Sequence, residues 1–377
     1  MCYPSREQIT RFEKTLSSCC FLYNSALQER KYAHEFHKRL TYYDQQNELL
    51  GLNKALSEYR RIYSQVLQDV LRRLDKSFKG FFNGMRGYPR FKPSWRYNSF
   101  TYPQKGFEIL PNGHVELSKL GKLSVFMHRK ILGKIKTLTI KRDSAGDWFV
   151  ILTAEFPDVK PREIKSVVTI DVGLEKLLTL SSGEFVAPPQ FFRKSEKKLA
   201  RVQSRLSLKK LGSKNREKAQ VRVAKVHRKI ERQRSDFLHK LSRKLVDKTN
   251  LLVFEKLQIE NMVKNHHLSK SIHDASWNKL IQFASYKASN AGKNVIQINP
   301  RGSTERCSGC GTIVRKALSE RVYRCPNCGL VLDGDLNTTF DMLKQIGRGT
   351  PESTTPVEMR PLLVEIPASR VREAGSP

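Results

Sequence analysis

No stretch of this chain is apolar for long enough to cross a bilayer, and no short apolar segment near Met1 has the form of an export signal. Those absences point to a soluble protein of the cell interior. Acidic residues are scarce too: 36 Asp and Glu stand against 69 Lys and Arg, a net charge of +33. An excess of that size is a statement about partners rather than fold. Nucleic acid is the natural counterpart, with an anionic membrane surface second. Cysteine is sparse, at 7 in 377 residues, and its placement argues against a disulfide framework. Four cysteines sit in two C-x-x-C pairs, whereas Cys2, Cys19 and Cys20 are scattered near the N-terminus and read as thiols in a reducing compartment. The length is enough for two or three domains with real cores.

What is present changes character along the chain. Residues 7–38 are expected to be helical, because Phe12, Leu16, Cys19, Tyr23 and Leu27 recur at three- and four-residue steps. A second helical stretch is expected from about 47 to 84, with Leu67, Val70, Leu74, Phe78 and Phe81 on one face, and Gly87, Pro89 and Pro93 break the pattern after it. From about 99 to 157 the pattern is β: "FEILPNGHVEL" reads as a hairpin on an Asn-Gly turn, and "KIKTLTIKRDSAGDWFVILTAEF" as another. Several short strands of this kind suggest a small barrel. From 166 onward the order is strand, strand, helices, strand, helix, strand, cysteine knuckle and helix, which suggests an α/β sheet. Residues 191–250 read as two long helices with 21 Lys or Arg against 5 Asp or Glu, an excess of 16. The Pro-, Ser- and Thr-rich segment 349–377 reads as a disordered tail.

Two constellations carry chemistry. Cys307, Cys310, Cys325 and Cys328 form two tight-turn pairs separated by 14 residues. Four such thiolates suit tetrahedral zinc, and a site with four protein ligands is structural. The other constellation is acidic. Asp171 ends the apolar run "VVTID", Glu255 ends "LLVFE", and Asp335 opens a helix just past the knuckle in "DGDLNTTFDML". Taken singly, each passes for a strand-end or surface acid. As an ordered set, at the ends of apolar strands where a lone charge is costly, they suggest carboxylates that only cations can neutralise. Hard oxygens favour Mg2+ or Mn2+, and a pair of such ions is what phosphodiester hydrolysis uses. Gly173 would let the chain turn sharply beside them.

The stretches "TIDVGLEKLLTLSSGE", "KKLARVQSRLSLKKLGSKNREKA", "FEKLQIENM", "SWNKLIQFASYKASNAGKNV" and "CPNCGLVLDGDLNTTFDML" give this chain a resemblance to the RuvC-like branch of the ribonuclease H fold. With "YPSREQITRFEKTLSSCCFLYNSAL" and "LRRLDKSFKGFFNGMRGYPRFKPSWRYNSFTYP", the likeness runs over nearly the whole chain and points to the TnpB family. Its members are RNA-guided nucleases of bacterial insertion sequences, related to type V CRISPR effectors. The resemblance implies a wedge β-barrel begun by residues 1–10 and completed by 98–160, and a helical recognition domain at 11–97. It implies a RuvC-like α/β nuclease domain at 161–348, with a basic helical insertion at 191–250 and a zinc ribbon at 303–330. It aligns Asp171, Glu255 and Asp335 with the family's catalytic, magnesium-binding acids. It also implies a guide RNA, double-stranded target DNA as substrate, cleavage beside a short duplex motif, and a place in the bacterial cytoplasm with the nucleoid. No protein partner and no membrane contact are implied. Only Met1 and Cys2 precede Tyr3, so the first barrel strand is expected to be short or absent, and Thr338 and Thr339 replace the family's usual small pair.

Nucleic-acid contacts follow from aromatics mixed with basic residues. Tyr88, Phe91, Trp95 and Tyr97 are candidates for stacking on bases, with Arg90 and Lys92 beside them for phosphates. Lys209, Lys210, Lys214 and Arg216 belong to the basic helical face. Tyr42, Gln46 and Gln68 lie in segments that the resemblance connects with reading the duplex motif. His266 and His267 are read as solvated or phosphate-facing. The reading is an RNA-guided DNA endonuclease. An unguided structure-selective nuclease, an RNA-guided DNA-binding repressor with weak or absent catalysis, and a zinc-ribbon transcription factor remain as rivals.

Overall fold

The computed structural model describes residues 1–128, 131–299, 302, 304–315, 320–347, 359–362 and 364. The chain divides into two compact units, residues 1–157 and 158–377.

The first unit opens with strand β1 (Cys2–Tyr3) and helix α1 (Arg6–Glu35). Ser5 and Gln8 close a reciprocal capping box at the start of α1. Phe12, Leu16, Cys19, Tyr23 and Leu27 then form its buried stripe, as their spacing predicts. The single helix expected from about 47 to 84 is instead three: α2 (Tyr42–Ala55), α3 (Ser57–Arg60) and α4 (Ser64–Phe82). Arg60 folds back onto the end of α2, donating to the carbonyls of Asn53 and Lys54. Tyr63 leaves the helical region at ψ 129 so that its ring stacks on Tyr102, centroids 5.7 Å apart. Gly106, at φ +85, is required there, because a Cβ would collide with the Tyr63 ring.

Seven antiparallel strands follow the order β2-β6-β7-β1-β5-β4-β3. The new ones are β2 (Ser99–Tyr102), β3 (Phe107–Leu110), β4 (His114–Leu117), β5 (Gly121–Val125), β6 (Lys134–Arg142) and β7 (Trp148–Glu155). Asn112 at φ 63 and Gly113 at φ 74 make the β3–β4 turn that the Asn-Gly pair predicts. The first strand is present and is two residues long. Cys2 pairs with Val125 on one side and Trp148 on the other, joining the two halves of the sheet. Helix α1 seats Phe12 against Phe100 and Trp148, at 5.9 and 5.1 Å.

The second unit is built on a sheet of order β12-β11-β8-β9-β10-β15. Its elements run β8 (Val167–Val172), β9 (Leu178–Leu180), β10 (Glu184–Val186), α5 (Phe191–Ser207), α6 (Lys214–Lys248), β11 (Leu251–Glu255), α7 (Ile259–Val263), α8 (His266–Ala275), α9 (Trp277–Asn290) and β12 (Asn294–Ile298). The knuckle hairpin β13 (Val322–Arg324) and β14 (Val331–Asp333), helix α10 (Gly334–Gln345) and strand β15 (Arg360–Pro361) complete it. Strands β12, β11 and β8 are parallel, whereas β9 is antiparallel to β8 and to β10. Helices α6 and α9 cover the sheet through a core that includes Phe237, Leu241, Leu245, Trp277 and Leu280.

One expectation is corrected here. The segment read as a disordered tail from residue 349 contributes an ordered edge strand: β15 lies parallel to β10, and Leu362 N donates to Phe185 O at 2.7 Å. Leu362 is buried in the core of this unit, which a polar composition around it conceals. Apart from 359–362 and 364, that segment lies outside the described residues, as do 303 and 316–319 of the expected zinc ribbon.

Candidate active site and metal centre

The parallel register of β11 and β8 sets Phe254 beside Ile170. The next residues, Glu255 and Asp171, therefore leave adjacent strands at the same end. All five residues of β11 are buried, and Glu255 is only 8% exposed. Asp335 is the second residue of α10, which packs on β8 and β9. Burial pushes the Asp171 carboxyl well above the usual carboxylate range, and the charges of Asp335 and Glu255 push it further. The amide of Val172 opposes this, and Asp333 adds a smaller upward push. The structure thus brings the three acids into one electrostatic cluster. Among the described residues, only the cysteines bring three or more ligating side chains within 4.8 Å of one another, so the acids form a looser group.

Helix α10 is tied down along its length. Asp333 is its N-cap, and one carboxylate oxygen accepts from Asp335 N at 3.0 Å and Leu336 N at 3.3 Å. The other oxygen of Asp333 accepts from Lys176 Nζ at 2.6 Å, and the same ammonium reaches Asp335 Oδ2 at 3.4 Å. Thr169 Oγ1, two residues before Asp171, donates to Thr339 O at 2.7 Å, four residues after Asp335. That bond fixes the strand of one acid to the helix of another. Thr338 and Thr339 are both buried, and their hydroxyls donate to Gly334 O and Leu336 O within the same helix. The larger pair therefore needs no outside partner.

The knuckle holds the same helix from the other side. Asn337 is fully buried; its Nδ2 donates to Arg306 O at 2.8 Å and its Oδ1 accepts from Ser308 N at 2.9 Å. Those two groups flank Cys307. Lys344 Nζ donates to Gly309 O at 2.6 Å, and Gly334 N to Arg321 O at 2.6 Å. The four thiols lie within 4.8 Å of one another, with Cys307–Cys328 and Cys310–Cys325 both at 3.6 Å. A tetrahedron of sulfurs about 2.3 Å from zinc has S–S edges of about 3.8 Å, so this group fits the ion. Hydrogen bonding with Thr312 and Asn327 brings the Cys310 thiol down to about 5, toward the thiolate that binds metal.

The expected nucleic-acid residues fare unevenly. Tyr88, Arg90, Lys209, Lys210 and Lys214 are exposed, as are Phe91 and Trp95. Tyr42, Gln46 and Gln68 are half-buried on α2 and α4, and Tyr42 packs against the core of the first unit. Three residues are otherwise engaged. Tyr97 is 3% exposed, so its ring is not free to stack on a base. Lys92 places its ammonium 4.1 Å from the Tyr23 ring centroid, and burial lowers its pKa. Arg216 spends its guanidinium on Leu206 O and Lys209 O, closing the turn between α5 and α6. That turn borders a cleft of about 410 Å³ lined by Arg205, Lys209, Lys218 and Arg222 among others. His266 and His267 are exposed at the start of α8.

Sequence reasoning missed Asn337, Thr169 and Lys176. For Asn337 a signal existed in the Asp-x-Asp-x-Asn run, where a third polar residue falls on the buried side of a short helix. Thr169 and Lys176 carried none.

Known proteins match this chain along its length. A family model described as "Probable transposase" covers residues 150–266, and one described as "Cas12f1-like, TNB domain" covers 277–340. A "Helix-turn-helix domain" model covers 2–39, where the structure has β1 and one long helix. A protein of Streptomyces pristinaespiralis named as an RNA-guided DNA endonuclease is 34% identical over 350 residues, 90% of this chain and 87% of its own. InsQ of Escherichia coli strain K12, named likewise, is 29% identical over 386 residues, 94% of this chain and 96% of its own. TnpB-like protein L79 of Acanthamoeba polyphaga mimivirus is 25% identical over 224 residues, 55% of this chain and 43% of its own. Among solved structures, the Cas12f1–sgRNA–target DNA complex shares the fold at a TM-score of 0.60 and 14% identity, over 90% of this chain and 83% of that one. Identity sustained at 34% over nine-tenths of the sequence settles the family: the chain belongs to the TnpB-like proteins, together with its relatives in those two bacteria.

Proposed function

We propose that this chain is an RNA-guided DNA endonuclease that hydrolyses target DNA at Asp171, Glu255 and Asp335. The observation that carries the reading is their convergence. Two acids leave neighbouring strands at one end, a third opens α10, and the Asp171 carboxyl is raised by burial and by the charges of the other two. The sheet order β10-β9-β8-β11-β12, antiparallel over its first three strands and parallel over its last three, supports a RuvC-like domain of ribonuclease H type. The seven-stranded sheet supports a wedge barrel, and α1, α2 and α4 a recognition domain.

Three crowded carboxylates make an all-oxygen anionic donor set, which suits Mg2+ or Mn2+. When bound, such ions stabilise charge on the attacking and leaving oxygens of a phosphodiester. The protein's part is placement. Asp171 and Asp335 would ligate directly, and Glu255 would ligate or bridge. The Thr169–Thr339 bond holds strand and helix in one frame, and Asn337 holds that helix to the knuckle, where Cys307, Cys310, Cys325 and Cys328 would hold a structural zinc. The basic cleft between α5 and α6 suits the backbone of a guide RNA or its heteroduplex with one DNA strand. The site of action is then the nucleoid of a bacterial cytoplasm.

The test is to purify the protein with its bound RNA, sequence that RNA, and challenge the complex with matched and mismatched DNA. Cleavage that follows the RNA sequence is expected. Cleavage that ignores it would favour an unguided nuclease, and guided binding without cleavage would favour a repressor.

A further inference from the structure

We propose that Lys176 is an internal counter-ion that competes with a divalent cation for Asp335, and that Asp333 draws it away so that the site can load. The proposal rests on the nuclease reading above and adds a device that sets how much metal the site needs.

Lys176 lies in the turn that joins β8 to β9, five residues after Asp171. The turn folds tightly: Gly173 N donates to Leu177 O at 3.3 Å, and a Cβ on Gly173 would lie 2.8 Å from Lys176 O. That closure brings the Lys176 side chain to the carboxylates instead of solvent, and it is 22% exposed. Its Nζ sits 2.6 Å from Asp333 Oδ2 and 3.4 Å from Asp335 Oδ2. The neighbouring Glu175 turns away to pair with Arg321 at 2.9 Å. Among the described residues, Lys176 is therefore the cation paired with Asp335.

The two aspartates are not equivalent partners. Asp333 is immobilised, because its Oδ1 accepts from the first amides of α10 and leaves Oδ2 facing Lys176. Asp335 has the longer contact, and its carboxylate is the one a divalent ion needs. One oxygen cannot serve an ammonium and a divalent ion at full strength, since the two cations repel at short range. The unequal distances place Lys176 mainly on Asp333, so it can yield Asp335 without losing its own partner. On this view Asp333 acts by holding Lys176 as well as by capping the helix.

Opposite charge changes should then have opposite effects. Lys176→Met removes the competitor and should tighten Mn2+ binding by about fivefold or more. Asp333→Asn keeps a side-chain oxygen for the cap but loses the charge that holds Lys176, which should move onto Asp335 and weaken binding by a similar factor. In the Lys176→Met background, Asp333→Asn should have much less effect, because the two act as a pair. The experiment titrates Mn2+ into the purified full-length zinc-loaded protein, with free Mn2+ read by electron paramagnetic resonance, and includes Asp171→Ala as a control. If wild type binds Mn2+ and Asp171→Ala abolishes that binding, yet Lys176→Met binds no more tightly, the competition is refuted while the nuclease site stands. If both Lys176→Met and Asp333→Asn weaken binding alike, the pair is a structural brace and the proposal falls. If Asp171→Ala leaves Mn2+ binding unchanged, the nuclease site itself is misplaced and the proposal falls with it.

Discussion

Asn337 offers the sharpest test of why a cysteine knuckle adjoins the acids. Asn337→Leu keeps the size of the side chain and removes both hydrogen bonds, to Arg306 O and from Ser308 N. Ser308 is 2% exposed, so its amide loses its partner in a place that water does not reach. Leaving one buried group unpaired costs about 1–3 kcal/mol, so the pair gives a loss of about 2–6 kcal/mol in the second unit. The damage should be local, because Asn337 joins the turn around Cys307 to the helix that begins with Asp335. Three readings follow: a lower melting transition, faster zinc loss to a chelator, and cleavage reduced far more than guide-RNA binding. Lys344→Ala is the comparison, since it removes one exposed bond to the same knuckle and should cost less than about 1 kcal/mol. Wild-type melting and zinc retention in Asn337→Leu would refute the idea that the knuckle positions α10 through this amide.

Other expectations follow from single sites. Cys325→Ser removes one of four thiols and should abolish stoichiometric zinc in elemental analysis, together with a loss of activity. Leu362→Ala should destabilise the second unit by about 2–4 kcal/mol if β15 is a working edge strand, as read by its melting transition, whereas a silent substitution would make the strand dispensable. Lys287 is 6% exposed, and burial first and Arg243 second bring its pKa down from 10.5 to about 8. Between those values the unfolded chain holds a proton that the folded chain has released, so stability should rise with pH from about 8 to 10.5. Denaturation midpoints across that range should rise in wild type and stay flatter in Lys287→Met.

The parts of this fold that the sequence made legible are those governed by local pattern. The apolar stripe of α1, the Asn-Gly hairpin and the two apolar strands that carry Asp171 and Glu255 near their ends all follow from spacing and turn chemistry. The four cysteines were legible because metal binding constrains both residue type and spacing. What escaped depends on contacts between distant positions. Thr169 meets Thr339 across 170 residues, and Asn337 meets Ser308 across 29. No periodicity encodes such partners. The break near Tyr63 exists because Tyr102 offers a ring to stack on, and Tyr97 looked like a free aromatic until the fold buried it. Asp333 would pass for an inert neighbour of Asp335 on sequence alone, yet it caps the helix and holds Lys176.

The central claim is that Asp171, Glu255 and Asp335 form one metal-dependent cutting site directed by a bound RNA. The measurement is cleavage and binding of a matched DNA duplex by the RNA-loaded protein, with Mg2+ or with chelator, for wild type and the three single Ala variants. Wild type should cut only with the divalent ion, and each Ala variant should bind the duplex while failing to cut it. Cutting that persists in all three variants, or in wild type with chelator, would contradict the account.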